Sequence, residues 1–237
     1  MEKSNVVESE RSSLANRLNW LRAGVLGAND GILSTAGLVV GVSGAAVANH
    51  AILAAGIAGM IAGSLSMAAG EYISVSTQRD TEKAQLARER QALVDDPDGQ
   101  LASLADTFGE QGVDDHLAHE VASQLTKRNA LQAHAHFRFG IDSESLTNPW
   151  HAAFASMFSF ALGAIIPLCA IILSPSAYAL WITAGAVCLA LAITGSVSAY
   201  LGGAPPMRAV IRNLIGGNLA MGVTYWIGVA FGHFFVP

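Results

Sequence analysis

GILSTAGLVVGVSGAAVANHAILAAGIAGMIAGSLSMAAG, residues 31–70, contains no Asp, Glu, Lys or Arg. A helix that crosses a bilayer needs about 20 mostly apolar residues. Extended back to Leu21, this stretch holds two such helices, broken near residues 43–49. Residues 145–207 are equally free of charge and hold two more, broken near 174–176. Residues 213–237 hold one. The expectation is an all-α membrane protein with five transmembrane helices, near 22–44, 50–75, 151–173, 178–201 and 210–235. The alternative is a large soluble helical core. Soluble helices keep a polar face, and soluble domains carry about 25% charged residues. This chain of 237 residues carries 13%.

The basic residues sort to one side. Lys3, Arg11, Arg17 and Arg22 precede or open the first span. Arg79, Lys83, Arg88, Arg90, Lys127, Arg128 and Arg138 lie between spans two and three, and Arg208 and Arg212 precede span five. The other two loops and the C-terminus have none. Basic residues favour the cytoplasmic face, so the N-terminus is expected inside and the C-terminus outside. The first 20 residues are polar, so no cleavable signal peptide is expected. Cys169 and Cys188 both fall in spans without CxxC spacing and read as packing residues.

Four segments follow: a cytoplasmic N-terminal segment (1–21), spans one and two (22–75), a small helical cytoplasmic domain (76–149), and spans three to five (150–237). In the domain, 77–94 reads as helix and Asp95-Asp96-Pro97-Asp98-Gly99 as a break. Residues 101–108 and 114–135 are further helices, with Asp114 or Asp115 as a cap.

An ionisable side chain inside a span is costly, so it points to function. Two carboxylates qualify, Asp30 and Glu71. Met67 lies one helical turn from Glu71 on the same face. Antiparallel packing of the first two spans brings all three to a similar depth. Carboxylate oxygens with one thioether suit a borderline first-row metal better than an alkali ion or Mg²⁺. Met67, Glu71, Ser74, Gln78, Glu82, Gln85 and Glu89 continue the stripe outward along one face. Its outer part reads equally as a solvated face. His116 and His119, at i and i+3, have the spacing for one metal. His134 and His136, two apart, point away from each other on a helix. Gly27-x-x-x-Gly31, Gly37-x-x-x-Gly41 and Gly59-x-x-x-Gly63 permit close helix approach. Pro167 suggests a kink in span three. Asn213, Asn218 and Met221 read as interhelical bonding and core.

Asp30-Gly31-Ile32-Leu33-Ser34-Thr35-Ala36-Gly37-Leu38-Val39-Val40-Gly41-Val42 resembles the first-span motif of the vacuolar iron transporter (VIT) family. Ser66-Met67-Ala68-Ala69-Gly70-Glu71-Tyr72-Ile73-Ser74-Val75-Ser76 resembles its second, continued by Gln78-Arg79-Asp80-Thr81-Glu82-Lys83-Ala84. The resemblance implies a bacterial-type Fe²⁺ or Mn²⁺ transporter in the inner (plasma) membrane. It would work as a homodimer with the pathway at the dimer interface, exporting metal from the cytosol in exchange for protons. The metal is then the substrate, and no permanently bound cofactor is expected. The partners are the metal ion, protons, the lipid bilayer and a second copy of the chain, with no nucleic acid. The resemblance implies ligand roles for Asp30 and Met67, and matches Glu89 to one of several cytoplasmic metal-collecting glutamates. Ala92, Gln100 and Ser103 stand where further acids are usual, and His136-Phe137-Arg138 where an acidic pair is common. The cytoplasmic metal site is therefore depleted. The candidate metal residues are Asp30, Met67, Glu71, Glu82 and Glu89.

A metal-sensing or scaffolding membrane protein is the alternative. A scaffold gains nothing from the cost of Asp30. An enzyme is not expected, because the spans hold neither a His-rich cluster nor a nucleophile–base pair.

Overall fold

A computed structural model of the chain describes residues 2–45, 47–143 and 146–235. Seven helices account for the secondary structure of these residues: α1 (Glu2–Gly44), α2 (Asn49–Asp95), α3 (Pro97–Gly109), α4 (Asp115–Phe139), α5 (Pro149–Leu173), α6 (Ala179–Leu201) and α7 (Pro206–Phe235). They form two compact units. One comprises Arg17–Ile73 and Pro149–Pro237, the other Met1–Asn16 and Ser74–Asn148.

The first unit is the membrane unit. Five helical stretches are long and apolar enough to cross a bilayer: Leu21–Gly44, part of Asn49–Asp95, Pro149–Leu173, Ala179–Leu201 and Pro206–Phe234. Two boundaries move from the expected ones for a plain reason. Pro149 and Pro206 open α5 and α7, and a proline lacks only an N–H that a helix start leaves unpaired anyway. The last helix therefore begins ahead of Arg208 and Arg212 rather than near 210. Helix α1 also begins much earlier than its apolar stretch, at Glu2.

Small residues set the packing of α1. A Cβ on Gly27 would lie 2.6 Å from the Ser156 carbonyl oxygen of α5, and one on Gly31 would overlap the Phe160 carbonyl. Gly163 of α5 answers from the other side against Ala28. Toward its far end α1 meets α7, where a Cβ on Gly44 would lie 2.6 Å from the Tyr225 carbonyl oxygen and Gly228 abuts Gly41. Lipid tails are as apolar as leucine, so close van der Waals approach is what draws such helices together. The core joins Ile32 and Val39 of α1 to Ile52 of α2, Leu168 of α5, Leu191 of α6 and Met221 of α7. Helix α6 packs between α5 and α7. Helix α5 runs through a buried Pro167 as one element.

In the second unit α3 packs on α4. Asp96 caps α3 by accepting from the Gly99 N–H at 3.0 Å. Asp114 caps α4 by accepting from His116 and Leu117. Helix α4 breaks at Asn129 (φ −163°, ψ 96°). There the Asn129 Oδ1 accepts from the Gln132 N–H at 3.1 Å and starts the helix again. The break lies inside the stretch that composition reads as one helix. Gly140 ends α4 in the left-handed region (φ 65°), with Ile141 N–H reaching back to the Ala135 carbonyl. Leu104, Ala105, Ala118, Ala122 and Ala133 form a small core. Phe108 and Phe137 meet nearby in a tilted contact, 5.1 Å between ring centroids.

Candidate metal-binding cleft in the membrane unit

The first two membrane helices carry polar residues on facing stripes. On α1, Asp30, Ser34 and Leu38 step by four, and on α2, Gly59, Gly63, Met67 and Glu71 do the same. These stripes line one cleft of about 580 Å³, together with Thr35, Ser66, Gly70 and Phe160. Glycines on α2 make the room. Gly63 lies under the Phe160 ring and Gly59 under Leu38, so a side chain at either would fill the cleft. Asp30, Met67 and Glu71 are each half-buried. The Ser34 hydroxyl donates to the Asp30 backbone carbonyl at 2.6 Å, which leaves the Asp30 carboxylate for the cleft.

Among the described residues the lining holds two carboxylates, one thioether, three hydroxyls and no basic residue. Two carboxylates in one cleft without a described basic neighbour suit a cation. Carboxylate and hydroxyl oxygens are hard ligands, and the Met67 sulfur is soft, a mixed set for a borderline ion. Among the described residues no three His, Cys, Asp or Glu side chains converge as a ready-made metal cage. The cleft therefore offers a partial shell, to be completed by water or by groups outside this chain.

The other candidates lie in the second unit and do not share the cleft. Glu82 is half-buried and accepts from Gln78 at 2.8 Å. Glu89 is buried and committed to internal partners. Its Oε1 lies 2.6 Å from His134 Nδ1 and accepts from Arg138 Nη1 at 3.2 Å. Arg138 also donates to Gln100 at 2.9 Å. His134 is fully buried, and its Nε2 finds no partner. A neutral ring donating from Nδ1 to Glu89 fits that arrangement, because a proton on Nε2 would be a buried donor without an acceptor. Burial accordingly pushes the His134 imidazole below its ordinary value, against the upward pull of Glu89, and Arg138 lowers it further. The sequence reading missed this cluster. Its one legible sign was Arg138 standing where an acid is usual.

His116 and His119 are both exposed in the first turns of α4, and among the described residues no third ligand joins them. Asn213 and Asn218 are interhelical, donating to the Leu191 carbonyl at 3.4 Å and to Cys188 Sγ at 3.4 Å. Met221 is core. Both cysteines are free.

Comparison with known proteins agrees along nearly the whole chain. The VIT family's sequence profile matches residues 21–229. A vacuolar iron transporter of Acanthamoeba castellanii is 42% identical over 93% of this chain and 82% of its own length. Vacuolar iron transporter homolog 1 of Oryza sativa subsp. japonica is 39% identical over 91% of this chain and 75% of its own. Vacuolar iron transporter homolog 4 of Arabidopsis thaliana is 36% identical over 89% and 83%.

Proposed function

The chain belongs to the VIT family, and from that premise we propose that it carries a divalent metal, Fe²⁺ or Mn²⁺, out of the cytosol in exchange for protons. Its relatives are named as transporters, not as enzymes. The observation that carries the reading is the single cleft lined by Asp30, Met67 and Glu71 within the membrane unit.

The mechanism follows from charge. A carboxylate at membrane depth is too costly to stay ionised and unpartnered. It holds either a proton or a metal. One residue, Asp30, that alternates between a proton and a metal is the minimum machinery for antiport. Met67 adds affinity for the softer ion without adding charge. Homodimerisation fits the incomplete ligand shell of one chain, since a second copy would supply further groups.

The one-sided basic residues support an N-terminus in the cytosol and a C-terminus outside. Placement in a bacterial inner membrane rests on the motif resemblance. The relatives named above come from an amoeba and two plants.

The test is Asp30→Asn. Asn is nearly isosteric and removes an expensive charge, so the protein should still fold and insert. Cells expressing it at wild-type levels should lose the metal resistance that the wild type confers. Full resistance from the variant would remove the support for this reading.

A further inference from the structure

A second cavity of the membrane unit lies on another side of α1, between α1, α6 and α7, and is distinct from the metal cleft. It measures about 500 Å³. Arg22 of α1 and Arg212 of α7 line it, with Asn29, Ser198 and Asn213 as polar neighbours and Leu26 among its apolar walls. Among the described residues no carboxylate lines it. Neither arginine forms an ion pair with a described residue.

Both arginines are exposed at the mouth of the cavity. Arg212 is the seventh residue of α7, roughly 9 Å along the helix from its first residue, and belongs to a stretch long and apolar enough to cross the bilayer. A guanidinium at such a place calls for an anionic or carbonyl partner. Asn29 accepts from the Thr194 hydroxyl at 3.4 Å through its carbonyl oxygen, which leaves its NH₂ group to donate. The cavity thus presents guanidinium and amide donors in its polar part. Leu26 at its wall is 55% exposed, in a stretch long and apolar enough to cross a bilayer. Both arginines also belong to the basic side of the sequence, the side on which cytoplasmic-leaflet anionic lipids sit.

We propose that this cavity binds the phosphate headgroup of an anionic phospholipid, with Arg22 and Arg212 pairing its charge and the apolar walls receiving the start of its acyl chains. Charge complementarity and the opening onto an apolar surface select a membrane lipid over a soluble anion. The site adjoins the α1 segment that carries Asp30 at the position after Asn29, so occupancy braces the helix that bears the metal cleft.

The test uses the purified full-length protein in detergent, titrated with phosphatidylglycerol, phosphatidylcholine or inorganic phosphate and followed by native mass spectrometry and thermal unfolding. Phosphatidylglycerol should be retained and should raise the unfolding temperature, with a preference over phosphatidylcholine on the order of tenfold. Inorganic phosphate should give no comparable shift. The R22Q/R212Q protein should lose the preference, while R208Q, whose arginine is outside the cavity lining, should keep it. Equal retention of the two lipids by wild type overturns the proposal without any variant. So does stabilisation by inorganic phosphate alone, or an equal loss in R208Q, which would mark diffuse attraction to basic residues.

Discussion

Asp30, Met67 and Glu71 were legible from the sequence alone. Few ionisable groups survive at membrane depth, and a thioether one turn from a carboxylate shares its face. Their common cleft required only that α1 and α2 pack antiparallel. Met67 is the more discriminating of the three to change. Met67→Ala should leave expression intact, lower transport and move preference toward Mn²⁺ over Fe²⁺, because the softer ligand is gone. Competition between the two ions in an uptake assay checks it, and an unchanged ratio would count against a coordinating sulfur. Glu89 was not legible in the same way. Its partner Arg138 is 49 residues away in sequence, beyond any helical period, and only the fold of α4 brings it back. Removing one partner from a largely buried ion pair costs about 3 kcal/mol, toward the lower end here because Arg138 is part-exposed. Arg138→Met should therefore raise hydrogen exchange in α4 of the full-length protein. Adding Glu89→Gln should recover much of the loss. Additive losses in the double variant would show that the two side chains do not act as a pair.

At the scale of elements, the charge-free stretches located all five candidate spans, although the helix of the second runs on to Asp95. What they could not locate were features written in local backbone chemistry. Pro206 moved the start of α7 ahead of its two arginines, Asn129 broke α4 by capping its own second half, and α1 extended to Glu2 through residues with no apolar run. The glycine spacings were legible as close-approach motifs, but not their partners. Gly27 and Gly31 face the backbone of α5, whereas Gly59 and Gly63 face side chains and open the cleft. This difference gives a graded expectation. Gly163→Leu drives a side chain into the Ala28 carbonyl of α1, and overpacking of this kind costs about 1–3 kcal/mol or more. Gly185→Ala meets nothing within 4 Å and should be neutral. Thermal unfolding of the two purified variants should separate them clearly. Equal stabilities would mean that α1 and α5 do not pack as described.

For the whole molecule, the one-sided basic residues and five spans predict an N-terminus in the cytosol and a C-terminus outside. A reporter active only in the cytoplasm, fused after Pro237, should be silent, and a strong signal would invert the topology. The cleft of one chain and the proposed exchange of metal for protons then make a single testable account of transport. The most direct measurement is metal uptake by the purified protein in sealed vesicles, with Asp30→Asn reconstituted alongside. The account predicts Fe²⁺ or Mn²⁺ entry into vesicles with an acidic interior, slowed when the pH gradient is collapsed, and none with Asp30→Asn. Uptake by Asp30→Asn at the wild-type rate, or wild-type uptake indifferent to the gradient, would contradict it.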